Sequence, residues 1–241
     1  MRKRKVPKQR VHVFTEGEYD RLVGSTKGFF YHSTWAPCVL WDLLIVAALC
    51  TGMTCGELLN TIWRDIDFDK QTLDASPKKD SDQTWQWHIK DADRRTLSLT
   101  EEVVLLLVEY QEKQPERYPY VFLPPKRYDR IQQNRQQGKW TMRHGKCPVN
   151  NFNRQFNAIL AHAKVDKVQF HDLRRTCLTS WLASGLSEYE AMYLAGHAAF
   201  ETTRQFYLSV REDLLQRARA ASAEALNGDF VAHLLRAPFK A

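Results

Sequence analysis

Four side chains in the C-terminal part of the chain have the types and spacing to act on a phosphate diester. His171 and Arg174 stand three residues apart, so a helix starting there presents both on one face, toward one phosphate. The guanidinium can donate two parallel hydrogen bonds to it. His197 follows Gly196 at a helix junction, where the missing side chain lets a DNA backbone approach and the imidazole donate to a phosphate oxygen. Tyr207 carries a phenol whose ordinary pKa of about 10 means that it must lose its proton during an attack. Cleaving a phosphodiester without metal needs a nucleophile, donors that neutralise the pentavalent phosphorane and an acid for the leaving 5′ oxygen. This set holds candidates for those roles. Taken singly, three of them have a plainer reading: His171 as a satisfied structural histidine, Arg174 as a surface salt-bridge partner, Tyr207 as a half-buried aromatic.

The elements that would position these residues are mostly helices. Thr15, with Glu18 three positions later, is a capping-box start for a first helix, where the fold proper begins. Between Trp41 and Leu59 the apolar residues are dense enough for a central buried helix, interrupted at Thr51-Gly52 and resuming at Glu57. IDFDKQTLDAS, TWQWHIK and RRTLSLT alternate with period two between Pro, Lys and Asp clusters, and predict three antiparallel strands. EEVVLLLVEYQEKQ is an amphipathic helix, and the proline pair ending YPYVFLPP stops regular structure. The polar stretch from Lys126 to Cys147 predicts a long loop or frayed helix. Helical periodicity returns at NNFNRQFNAILAHA and runs through HDLRRTCLTSWLAS, SEYEAMYLAG and ARAASAEALNG. The fold class is therefore mainly α with a small three-stranded antiparallel β-sheet, in one domain without internal repeats.

Composition bounds the function classes. A hydrophobic content of 44% in 241 residues can bury a sizeable core. The longest apolar run, Val39 to Met53, is broken by Asp42 and Thr51, so no membrane span is expected. The basic tip MRKRKVPKQR has no apolar stretch behind it, and a cytoplasmic protein is expected. Cys38, Cys50, Cys55, Cys147 and Cys177 have no zinc spacing and read as reduced, mostly buried thiols. The net charge of +7 is a modest pointer to a polyanionic partner.

The segment HDLRRTCLTSWLASGLSEYEAMYLAGHAAFETTRQFYL resembles the C-terminal signature of tyrosine recombinases, the phage integrase family, which runs His-x-x-Arg, Gly-His and then Tyr. The resemblance implies that family's catalytic-domain fold, with Tyr207 as nucleophile, His171 assisting its deprotonation, and Arg174 and His197 on the scissile phosphate. It extends upstream to WHIKDADRRTLSL, which looks like the family's β-hairpin. Lys90 there would be the general acid and Arg95 the basic residue opening the next strand. A solvated hairpin charge is the plainer reading of Lys90, and Lys78 and Lys79 are rivals on a neighbouring turn. ALCTGMTCGELLNTIWRDIDF resembles the family's first box, Thr-Gly-Leu/Met-Arg followed by Glu-Leu, but the arginine position is held by Thr54. That implies loss of one of two guanidinium clamps, typically a cost of about 3–4 kcal/mol. A degenerate copy, a deliberately disabled variant and an enzyme with a relocated arginine are all open, and severely slowed cleavage with DNA binding retained is expected.

The organisation expected is a basic tail or linker remnant over 1–11, a catalytic domain over 12–210, and a C-terminal helix and tail over 211–241 that packs on a neighbouring protomer or folds back in cis. Relatives usually carry an N-terminal core-binding domain, of which this chain shows only the basic tip. Arg95, Arg175, Lys139 and Arg143 are candidate DNA contacts, and the basic stretch 126–146, with Tyr128 and Trp140, reads as a strand-contacting loop or a solvated insert. The resemblance implies double-stranded DNA as partner, self-association on DNA as a dimer or tetramer, and no metal or other cofactor. A catalytically inactive DNA-binding homologue is the main rival, and a topoisomerase of the same chemistry a lesser one.

Overall fold

The computed structural model describes residues 12–31, 36–89, 94–140 and 148–197. Helix α1 (Glu16–Tyr31) opens on the reciprocal cap read from the sequence: Thr15 Oγ1 accepts from the Glu18 N–H at 3.3 Å, and Glu18 Oε2 accepts from the Thr15 N–H at 2.9 Å. Helix α2 (Trp41–Thr51) is apolar on nearly every face and runs through the core between α1 and α7 (His171–Ala183). It ends at Gly52, in the left-handed region (φ 60°), whose N–H returns to the Ala48 carbonyl at 3.0 Å. A Cβ at Gly52 would lie 3.2 Å from Trp181 and 3.3 Å from both Cys177 and Leu178 of α7, so glycine serves the turn and the helix contact together. The short α3 (Cys55–Leu59) then starts at Thr54, and the break expected at Thr51-Gly52 is where the helix breaks.

The sheet has the order β1-β2-β3, all antiparallel, as the sequence predicts, but its strands are drawn differently from the runs. The first run supplies two of them, β1 (Ile66–Asp67) and β2 (Thr72–Ala75), because Asp67 accepts from the Lys70 N–H at 2.9 Å and Gln71 takes φ 54°, which folds the run into a hairpin. The second run, expected as a strand, pairs among the described residues at the single bridge Lys78–Trp87. Its period-two pattern comes from Trp85 and Trp87 both turning inward; the Trp85 indole stacks on Tyr120 at 4.1 Å and donates to Asn60 at 2.7 Å. Strand β3 (Arg95–Ser98) pairs with β2 in the register Ala75–Arg95 and Leu73–Leu97.

Helix α4 (Glu101–Glu112) follows as expected. The stretch expected as a loop or frayed helix from Lys126 is a regular helix, α5 (Pro125–Gln136), with proline at its first position and Ile131 in the core. Arg135 pins it to the preceding turn, donating to Asp80 at 2.8 Å and to the carbonyls of Ser81 and Thr84 at 3.0 and 3.1 Å. Helix α6 (Phe152–His162) packs on α1, and α8 (Glu188–Ala195) packs on α7 and β3. Cys38 and Cys177 are buried, Cys50 and Cys55 half-buried, all as free thiols. Among the described residues no helix is long and apolar enough to cross a membrane.

Candidate active site

Three elements converge on one carboxylate. Helix α3 starts with a capping box in which Thr54 Oγ1 accepts from the Glu57 N–H at 3.3 Å, while Glu57 Oε2 accepts from the Thr54 N–H at 2.7 Å and the Thr54 hydroxyl at 2.9 Å. This fixes Glu57 with its other oxygen turned to the sheet, where Oε1 accepts from Arg95 Nη1 at 2.6 Å. Arg174 Nη1 stands 3.8 Å from Glu57 Oε2. Burial alone would raise the Glu57 pKa, but the Arg95 hydrogen bond and charge, the Thr54 N–H and the Arg174 charge outweigh it and hold the carboxyl below its usual range.

The two arginines are anchored alike. Arg174, one turn into α7, donates from Nη1 to the Gly52 carbonyl at 2.8 Å and from Nη2 to the Ala195 carbonyl at 2.5 Å, so it ties the end of α2 to the end of α8. Arg95 donates from Nε to the Leu194 carbonyl at 2.7 Å. The last carbonyls of α8, which lack helical partners, are thus taken up by cations, as the helix dipole favours. Burial lowers the Arg174 pKa to about 10, against the pull of Glu57, and the group stays charged at neutral pH. Two donors are left over, since Arg95 Nη2 and Arg174 Nε are buried without a hydrogen-bond partner.

Both histidines adjoin this cluster. His171 is the first residue of α7 and keeps solvent exposure; partial burial of its ring, then the charges of Arg174 and Arg175, push its pKa down. His197 follows Gly196, which ends α8 in the left-handed region (φ 67°), and its N–H donates to the Met192 carbonyl at 3.1 Å. Burial, then Arg174, His171 and Arg95, lower the His197 pKa to about 4, so the ring is neutral at physiological pH and keeps one N–H to donate.

The structure therefore brings His171, Arg174 and His197 together beside the carboxylate of Glu57. Of the other residues read from the sequence, Tyr207, Lys90 and Arg143 lie outside the described residues. Arg95, read from the sequence as a candidate DNA contact, is turned inward, its side chain 1% exposed, while its neighbour Arg94 faces solvent. The signal was present in RTLSL: Leu97 and Leu99 set the buried parity of β3, and Arg95 shares it. Arg175 is half-buried and paired with Asp172, and Lys139 is exposed, bonded to Gln137 at 2.9 Å. Lys78 is buried in an ion pair with Asp65 at 2.9 Å. Sequence reasoning left Glu57 without a partner; the Thr-x-x-Glu spacing of its capping box marked its place but not Arg95.

Sequence and fold comparisons agree on one kinship. The profile of the phage integrase family matches residues 12–213. No curated protein matches the chain in sequence. Among solved structures, XerA recombinase superposes with a TM-score of 0.60 at 20% identity, covering 89% of this chain and 66% of that one. The Tn1549 transposon integrase in complex with transposon right end DNA gives 0.62 at 16% identity, with 89% and 68% covered. The catalytic domain of bacteriophage HP1 integrase gives 0.53 at 14% identity, with 86% and 95% covered. The chain thus spans just under two thirds of the XerA chain but nearly all of the HP1 catalytic domain, a likeness of fold at these identities. With its profile match running from His12 through the cluster and past Tyr207, the chain belongs to the phage integrase family, the tyrosine recombinases.

Proposed function

We propose that the chain is the catalytic domain of a site-specific recombinase that cuts and rejoins double-stranded DNA through a 3′-phosphotyrosyl intermediate. The observation that carries this reading is the convergence of His171, Arg174 and His197 on one buried, charged cluster in a chain whose family match extends through Tyr207. In the proposed step the Tyr207 oxygen attacks the scissile phosphorus as His171, kept neutral by its lowered pKa, accepts the phenolic proton. The P–O5′ bond breaks and the 5′ oxygen leaves as a hydroxyl with a proton from Lys90. A 5′ hydroxyl from a partner strand then attacks the phosphotyrosine and releases Tyr207. Arg174 and the neutral His197 stabilise the phosphorane. Segment 211–241 is assigned to contacts between protomers on DNA, and 1–11 to a basic linker.

Thr54 supplies no charge to this step, and its hydroxyl is already committed to Glu57, so cleavage is slower than with arginine at that position. The same observation favours a second reading, a DNA-binding homologue without cleavage. The two separate on nicked duplexes of randomised sequence, which trap a covalent complex once the short strand diffuses away. The recombinase reading expects slow accumulation by the wild-type chain and faster accumulation by Thr54→Arg. Equal, rapid accumulation contradicts the impairment, and DNA binding without any adduct in either protein supports the second reading.

A further inference from the structure

We propose that Arg95, entering from β3, supplies the guanidinium that Thr54 lacks and contacts the scissile phosphate beside Arg174. The proposal rests on the recombinase reading above.

Charge is the first argument. Two guanidinium groups share the single carboxylate of Glu57, and among the described residues no other carboxylate pairs with either. A buried cluster with cation in excess calls for an anion, because buried charge is stable only when compensated. A phosphodiester brings one negative charge, and its phosphorane brings more. The second argument is the pair of unused donors, Arg95 Nη2 and Arg174 Nε, one from each guanidinium and both buried. An unmet donor on a charged group costs more than one on a neutral group, and phosphate oxygens between the two arginines would meet both.

The third argument is position. Glu57 lies three residues from Thr54 and holds both arginines, Arg95 through Oε1 and Arg174 through Oε2. Arg95 therefore reaches the same carboxylate from the sheet, on the other side of the capping box that Thr54 occupies. Its Nε bond to Leu194 and its Nη1 bond to Glu57 fix the plane of the guanidinium, so Nη2 is presented without further ordering.

The test uses the full chain and a substrate that it selects itself. Duplexes that form a covalent adduct are recovered from a randomised nicked pool, the scissile phosphate is mapped, and the same duplex is made with a methylphosphonate there, which removes the charge that a second guanidinium would meet. Arg95→Gln is expected to slow adduct formation on the phosphate about a hundred- to a thousand-fold, but less than about tenfold on the methylphosphonate. Adding Thr54→Arg to Arg95→Gln restores cleavage of the phosphate. Urea unfolding checks that the variants are folded; should Arg95→Gln fail to fold, Arg95→Lys, which keeps the Glu57 pair but not the fork, is expected to show the same dependence on substrate charge. Equal losses on both substrates, or phosphate cleavage close to the wild-type rate, would show that Arg95 only anchors Glu57 and would overturn the proposal while leaving the recombinase reading standing. Recovery of no adduct by the wild-type chain overturns both.

Discussion

Arg95 Nη1 lies 2.6 Å from Glu57 Oε1, joining the first residue of β3 to the first turn of α3 through a buried ion pair that separates them by 38 positions in the chain. Removing the carboxylate's charge leaves the two guanidinium groups without the counter-charge they share. Glu57→Gln is therefore expected to cost about 3–5 kcal/mol of stability, read as a lower urea midpoint with an unchanged slope. A loss under about 1 kcal/mol would mean that the pair contributes little to the fold.

Thr54→Arg has effects of opposite sign on stability and on rate. The variant loses the hydroxyl that accepts from the Glu57 N–H, a cap whose removal typically costs about 1 kcal/mol. It gains a guanidinium next to the cluster, so adduct formation rises, by less than the roughly hundredfold expected if no other arginine served the phosphate. Thermal unfolding and adduct kinetics on one preparation read both numbers.

Acid should weaken the fold before the carboxylates are reached. The folded-state pKa of His197 lies at about 4, below the value near 6.5 of an unfolded chain, and that of His171 is also lowered. A depressed pKa means that the unfolded chain binds more protons in that window, so stability is full above about pH 6.5 and falls as the pH drops toward 4. Glu57, also depressed, adds its loss only below its ordinary value. Urea midpoints at pH 7.5 and 5.0 check this, and His197→Gln should flatten the difference.

Lys78 and Lys90 should separate stability from chemistry. Burial lowers the Lys78 pKa and raises that of Asp65, so each group of this pair relies on the other's charge to stay ionised. Lys78→Ala is expected to cost about 3 kcal/mol of stability by leaving Asp65 buried and unpaired. Lys90→Ala is expected to leave the urea midpoint nearly unchanged and to slow cleavage, with rescue on a duplex whose 5′ oxygen is replaced by sulfur, a leaving group that needs no proton. Absence of rescue removes Lys90 from the acid role.

Local signals carried much of the fold. The cap at Thr15, the stop at Gly52 and the helices α2, α4, α6, α7 and α8 are set by neighbours within a few residues, and the sequence pattern finds them. The misplaced strand at 84–90 shows the limit. Inward tryptophans produce the alternation of a strand whether or not the backbone is paired, and pairing depends on where β2 and β3 meet. Helix α5 was hidden for the converse reason: it buries one residue, Ile131, and is held by Arg135 reaching back to the turn at 80–84, a tertiary bond that no periodicity records. In the site, His171, Arg174 and His197 were legible because their spacing is local to α7 and to the end of α8. Arg95 was read as a candidate DNA contact and not as the partner of Glu57, because its direction follows from strand parity and Glu57 lies far away in sequence.

The central claim is that Tyr207 carries the DNA. The most direct measurement traps the wild-type chain on nicked duplexes, digests the complex with protease and nuclease, and weighs the peptide that holds the nucleotide. The account predicts a 3′-nucleotidyl adduct on the peptide containing Tyr207, absent from Tyr207→Phe. An adduct on another residue, or an undiminished adduct in Tyr207→Phe, would contradict it.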